Sequence, residues 1–182
     1  MKKYYLIIFL FSIFTDSSAS SNESIIENLK GIDNMTFDFE QNIDGKIEKG
    51  NCTIQYPKKI YCKYYSAKKK ILVSNGKSLV IKTKKSYQIY PLSKTPLNYI
   101  LDKNFLINRI KDLEGRIVDD KFINYNFIEN DNEINIFFNK KNNYLVGWQL
   151  LDIYQNLSIT FISILNINQK LNKRIFFLPS QN

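Results

Sequence analysis

The chain has 182 residues, a formal net charge of +9 and no histidine. The missing histidine removes the commonest general base, the usual catalytic triads and most zinc sites. The six glycines form no glycine-rich phosphate loop, and basic residues scattered everywhere but Lys68-Lys69-Lys70 read as a solvated face, with no nucleic-acid partner.

In chain order, Met1-Lys2-Lys3 is a short positive start, and Tyr4 to Phe14 is an apolar run broken by Ser12. Ser17-Ser18-Ala19 follows as a small-x-small site. This is the pattern of a cleaved secretory signal peptide, residues 1–19, with a run too short to span a bilayer as a helix. No cysteine stands at the end of the run, so the pattern of a lipid-anchored precursor is absent. Removing residues 1–19 takes away Lys2, Lys3 and Asp16 and leaves a charge of +8. Residues 20–182 are enough for one domain with its own core.

Ser21 or Asn22 caps a first helix whose apolar face is Ile25, Ile26, Leu29 and Ile32, ending at Gly31. From Met35 the period becomes two, with Phe37 and Phe39 alternating with Asp38 and Glu40. Asp44-Gly45 turns the chain into a strand over 46–56, with Cys52, Ile54 and Tyr56 on one face. Pro57-Lys58-Lys59 breaks it, and a strand over 60–65 carries Ile60, Cys62 and Tyr64 on one face. Strands over 70–73, 79–83 and 87–90 follow, with Leu72, Leu79 and Ile81 among their apolar positions and Ser74-Asn75-Gly76-Lys77 as the clearest turn. Thr95-Pro96 opens a helix with Leu97, Ile100 and Leu101 on its apolar face, Thr95 being the cap. A second short helix over 104–113 presents Leu106, Ile110 and Leu113. After Gly115 come strands over 116–120 with 121–129, then 133–139, 146–154 (with Trp148) and 156–166. The acidic pairs at Asp119-Asp120 and around Asp131 read as turns, not as catalytic or calcium-binding carboxylates. A last apolar run, 175–178, ends at Pro179.

The order is a helix, about six strands, a helical insert and about five strands. The fold class is α+β: one strongly curved antiparallel sheet, a half-open barrel of about eleven strands, under a lid of short helices. Phe and Tyr make up 25 residues. They either fill a core or line an apolar cavity.

Cys52 and Cys62 are the only cysteines. Half a zinc site, a redox pair, a disulfide and two buried thiols are the candidate readings. The spacing is far from Cys-x-x-Cys. An exported chain permits a disulfide, and the two are equidistant from Pro57, so they face each other across a hairpin centred there.

Several stretches together resemble one known family. They are "FDFEQ" (37–41), "IQYPKKIYCKY" (54–64), "ILVSNGKSLVI" (71–81), "TPLNYIL" (95–101), "LVGWQLLDIYQNLSITF" (145–161) and "FFLP" (176–179). In that order and spacing they are similar to the periplasmic outer-membrane lipoprotein carriers, the LolA family. The missing anchor cysteine sets the chain apart from the anchored receptor LolB. The resemblance implies a periplasmic, monomeric carrier without enzymatic activity, cofactor or metal. Its apolar cavity would shield the acyl chains of acylated lipoproteins. Its partners would be an inner-membrane lipoprotein-releasing ABC transporter and an outer-membrane receptor. The candidate cavity and lid residues are Phe37, Phe39, Ile54, Tyr56, Ile60, Tyr64, Leu72, Leu79, Ile81, Leu97, Ile100, Leu101, Ile110 and Trp148. Many members carry an arginine just before the proline after the second strand, reaching from the sheet to the lid backbone and keeping the empty carrier closed. Here that position is Tyr56, whose hydroxyl donates one hydrogen bond but carries no charge. It implies a weaker latch or another group in its place. The alternative functions are a periplasmic carrier or sensor for another lipid or hydrophobic ligand, and a structural protein of the envelope. A continuous apolar cavity separates the first two from the third.

Overall fold

The computed structural model describes residues 17–66 and 68–181. The leader expected over residues 1–19 lies, up to residue 16, outside the described residues. The first helix, α1, runs Ser17–Gly31, so the expected caps Ser21 and Asn22 lie inside it. Asn22 instead reaches across to a second helix. Its Nδ2 donates to the carbonyls of Ile110 and Leu113 at 3.0 and 2.9 Å, and its Oδ1 accepts from the Tyr125 hydroxyl at 2.5 Å. These carbonyls belong to a helix's last turn and beyond, where no intrahelical donor remains for them.

Eleven strands follow: β1 Asn34–Ile43, β2 Lys46–Gln55, β3 Lys59–Tyr64, β4 Ile71–Asn75, β5 Ser78–Lys82, β6 Tyr87–Pro91, β7 Arg116–Val118, β8 Phe122–Glu129, β9 Asn132–Asn139, β10 Leu145–Leu151 and β11 Leu157–Ile167. Between β6 and β7 stand a 3-10 turn, Leu92–Lys94, and two helices, α2 Leu97–Ile100 and α3 Lys103–Lys111. The expected α+β class and strand number hold, with ends shifted by a few residues. Asp44 and Gly45 both have positive φ (47° and 85°), the two-residue turn that suits the right-handed twist of a hairpin.

The strands form a single antiparallel sheet in the order β6-β5-β4-β3-β2-β1-β11-β10-β9-β8-β7. The first six strands step outward from β1 to one edge. The last five start at the opposite edge and step back until β11 pairs with β1. The chain must therefore travel from edge β6 to edge β7 between the two halves, and α2 and α3 are that crossing.

Two expectations about this crossing change. Thr95 does not cap α2: the N-cap is Pro96 without a side-chain bond, and Thr95 Oγ1 donates back to the Leu92 carbonyl at 2.8 Å. The side-chain cap belongs to Asp102, which accepts from the Phe105 amide at 3.1 Å and opens α3.

The helices and the sheet's inner face share one core. It contains Ile25 and Leu29 of α1, Leu106 and Ile110 of α3, and Tyr125, Ile136 and Phe138 of the sheet. Phe105 meets Phe127 edge-on at 5.8 Å. The last apolar run forms a 3-10 turn, Lys173–Phe176, that contacts β3 and β4. There Val73 and Val80, buried, point away from the inner face.

Candidate functional site

Register brings the site together. Phe37 pairs with Cys52, Cys52 with Cys62, Cys62 with Leu72, and Leu72 with Ile81. This single row crosses five strands, and because side chains alternate along each strand, all five point to the inner face. The Cys52 and Cys62 sulfurs are bonded to each other, with Cα atoms 4.1 Å apart, near the short spacing of a directly opposed, non-hydrogen-bonded pair. The disulfide is therefore part of the wall. In the next row Phe39 pairs with Gly50 and Gly50 with Tyr64. A Cβ on Gly50 would lie 2.6 Å from Phe39 Cε1 and 2.3 Å from the Lys63 carbonyl oxygen. The bare backbone lets the Phe39 ring lie over β2 and meet Tyr64 edge-on at 4.9 Å.

These rows line a cavity between β1–β5, β10, β11 and the lid. Trp148 stands opposite Phe37, their rings edge-on at 6.3 Å. Pro96 and Leu97 cover the cavity, and the loop at Asp152, Ile153 and Tyr154 narrows its mouth. The Tyr154 hydroxyl donates to Gln88 Oε1 of β6, which ties that loop to the far edge of the sheet. The cavity measures about 120 Å³, and the cleft with its open mouth contains about 830 Å³ of empty space. A site that encloses a drug-sized ligand has ~300–1,000 Å³, so the enclosed part alone is below that range and the cleft with its mouth is within it.

Of the expected positions, Phe37, Phe39, Ile60, Tyr64, Leu72, Leu79, Ile81, Leu97 and Trp148 line the cavity together with both cysteines. Ile54, Ile100, Leu101 and Ile110 do not; they are buried in the packed core. The inner face is thus filled under α1 and α3 and hollow beside β1–β5. Alternation assigns a face, but the covering helices decide which part of it stays open.

Tyr56 also stands outside the lining. Its buried hydroxyl has no hydrogen-bond partner among the described residues, and burial pushes its pKa well above the usual phenol range. Its hydroxyl therefore makes no hydrogen bond to the lid, while its ring lies 5.8 Å from the Lys103 ammonium of α3. Other groups hold the lid. The Lys58 amide donates to the Leu101 carbonyl at 2.8 Å, and the Lys58 ammonium lies 3.2 Å from Asp102. From the lid side, Lys103 donates to the carbonyls of Lys30 and Ile32 at 3.2 and 2.8 Å, at the basic-favouring end of α1.

Sequence reasoning missed a polar corner. Gln41, Ser158, Thr160 and Lys70 line the cavity beside Tyr64. Gln41 Nε2 lies 2.9 Å from Ser158 Oγ and 3.2 Å from Thr160 Oγ1, and the Tyr64 hydroxyl is 3.3 Å from Gln41 Oε1. Lys70 sits 4.0 Å from the centre of the Tyr64 ring and 2.6 Å from Glu48. Burial pushes the Glu48 carboxyl up, but Lys70 and Lys46 outweigh it and hold it below the usual range. Gln41 was findable, being two and four residues beyond Phe39 and Phe37. Ser158 and Thr160 share a face with Ile162 by the same rule. The mouth loop carries no periodic signal.

Among the described residues no group of three or more His, Cys, Asp or Glu is placed to hold a metal. No described helix is long and apolar enough to cross a membrane.

No curated protein matches the sequence. Among solved structures, an uncharacterised conserved protein from Thermus thermophilus is similar, at 8% identity and a TM-score of 0.53, covering 91% of this chain and 96% of that one. A LolA superfamily protein from Nitrosomonas europaea gives 10% identity and a TM-score of 0.45, covering 90% and 99%. The lipoprotein LppX of Mycobacterium tuberculosis gives 9% and 0.43, covering 84% and 96%. The family model described as "Outer membrane lipoprotein carrier protein LolA" matches residues 30–178, most of the sequence. With an open eleven-stranded sheet, a helical crossing over its inner face and that match, the chain belongs to the LolA family of outer-membrane lipoprotein carrier proteins.

Proposed function

We propose that this protein is a periplasmic carrier that shelters the acyl chains of lipoproteins on their way from the inner to the outer membrane. In this reading an ABC transporter loads it and an outer-membrane receptor unloads it. The observation that carries the reading is the cavity behind Phe37, Leu72, Leu79, Ile81 and Trp148, roofed by Leu97. Water penalises an acyl chain by about 0.8 kcal/mol per CH₂, or roughly 12 kcal/mol for a chain of about 15 methylenes. The enclosed part of the cavity, about 120 Å³, is too small for such a chain, so in this reading the lid or the mouth loop moves to admit it. The lid's polar links are each worth ~1 kcal/mol, far less than the chain gains by entering. Carriage needs no bond made or broken. A carrier or sensor of another hydrophobic ligand is the second reading, favoured by Tyr56 standing where the family's latching arginine is common.

The test uses Trp148, the only tryptophan in the chain and one that lines the cavity. A bromine-labelled acyl chain should quench its emission, and Leu97→Arg should abolish the quenching. No quenching in the wild type would overturn acyl-chain binding. Mass spectrometry of cargo captured from the periplasm then separates lipoproteins from other lipids.

A further inference from the structure

The polar corner has more donors than it uses. Gln41 brings two amide hydrogens, and Ser158, Thr160 and Tyr64 bring one hydroxyl hydrogen each. Only three hydrogen bonds connect these groups. Two hydrogens therefore find no acceptor among the described residues, whichever way the Gln41 amide is turned. Ser158, Thr160 and Tyr64 are 1%, 3% and 7% exposed, so bulk water scarcely reaches them. A buried donor without an acceptor is costly, and these two face a mostly apolar cavity.

We propose that this corner is a subsite for the carbonyl oxygen of an ester- or amide-linked acyl chain, the chain itself lying along the apolar wall; this rests on the acyl-chain reading above. The carbonyl is a neutral acceptor, and the corner suits one. The charge of Lys70 is already met by Glu48 at 2.6 Å, and Asp152 also stands on the lining. A free carboxylate would find no unpaired cation among the lining residues. The ligand is thus a conjugated acyl group, not a free fatty acid and not a plain hydrocarbon. An ester of a glyceride and an amide of an acylated amine share this chemistry.

The test measures displacement of bis-ANS by four probes of similar length: methyl laurate, N-methyl lauramide, pentadecane and laurate. The variants are Ser158→Ala with Thr160→Val, which keep shape, and Ser158→Ala alone in case the double variant folds poorly. Pentadecane displacement by each variant certifies its cavity. We expect the double variant to lose at least about fivefold in affinity for ester, amide or both, with pentadecane changed less than about twofold. Loss with the ester alone assigns the subsite to ester carbonyls, and loss with the amide alone to amides. Laurate should bind the wild type more weakly than methyl laurate. The proposal is overturned if ester, amide and pentadecane all shift together, if none shifts, or if laurate outcompetes methyl laurate. Failure of every probe to displace bis-ANS from the wild type would instead overturn the acyl-chain reading on which the proposal rests.

Discussion

Replacing Asp102 by alanine should loosen the lid without unfolding the sheet. Asp102 does two things. It caps α3 by accepting from the Phe105 amide, and it receives the ammonium of Lys58 at 3.2 Å. Loss of an N-cap costs ~1 kcal/mol. The ion pair is partly exposed, 35% for Lys58 and 26% for Asp102, which limits it to about 0.5 kcal/mol. Together they make about 1.5 kcal/mol, roughly a tenfold increase in the open population. Hydrogen exchange read on the α3 amides from Leu106 onward should accelerate by that factor, while amides of β1 and β11 keep their protection. Asp102→Asn separates the two roles, because asparagine caps as well as aspartate but cannot pair with Lys58. It should accelerate exchange only about two- to threefold. Lys58→Ala should match it, since the backbone bond from position 58 to Leu101 survives the change. Wild-type exchange in Asp102→Ala, or equal acceleration in both Asp102 variants, would refute the reasoning.

Three further outcomes follow from the wall. Cys52→Ala with Cys62→Ala opens a loop of ten residues' separation, which by the chain-entropy estimate removes about 3 kcal/mol; the urea midpoint should fall by roughly 1–2 M, and an unchanged midpoint would refute it. Gly50→Ala puts a Cβ 2.3 Å from the Lys63 carbonyl and against Phe39, so a thermal melt should show a loss of at least about 2 kcal/mol. The Glu48 pKa is lowered from 4.5 by its lysines. Its contribution to stability is therefore complete above about pH 4.5 and disappears as pH falls through the lower folded value. Denaturant titrations should show Glu48→Gln flattening that acid limb, with the gap between variant and wild type closing at low pH.

The strands were legible because their signals are local. Alternation at Phe37 and Phe39, the Asp44-Gly45 turn and the position of Pro57 midway between the cysteines each depend on a few neighbouring residues. The same symmetry about Pro57 located the disulfide, since an antiparallel hairpin makes opposite positions sum to a constant. The pairing of β1 with β11 is not local. It joins residues more than a hundred positions apart and follows only from the whole sheet. The boundary between filled core and cavity was illegible for a related reason. Ile54 and Ile60 are opposite each other in β2 and β3, with the same residue type and the same face, yet only Ile60 lines the cavity. What separates them is the placement of helices that meet neither residue in the sequence. Tyr56 was legible only in part, because its position before Pro57 names a place in the chain and not where the hydroxyl ends up, which is buried without a partner among the described residues. The ion pair that joins Lys58 to Asp102 at the lid is an ordinary pairing in type, and nothing in the spacing marks it.

The crossing from β6 to β7 makes the lid a string tied to both tips of a bow. It cannot swing like a flap with one free end, because one end leaves edge β6 and the other enters edge β7. Lifting it away from the cavity takes up chain length, which comes from drawing the two edges together or from unwinding the short helices. Whatever raises the string therefore also bends the bow, and a force that flattens the sheet tightens the string onto the inner face. Access to the cavity is then coupled to the curvature of the sheet, and so to its outer surface. Adding slack beside Gly115 would uncouple the two.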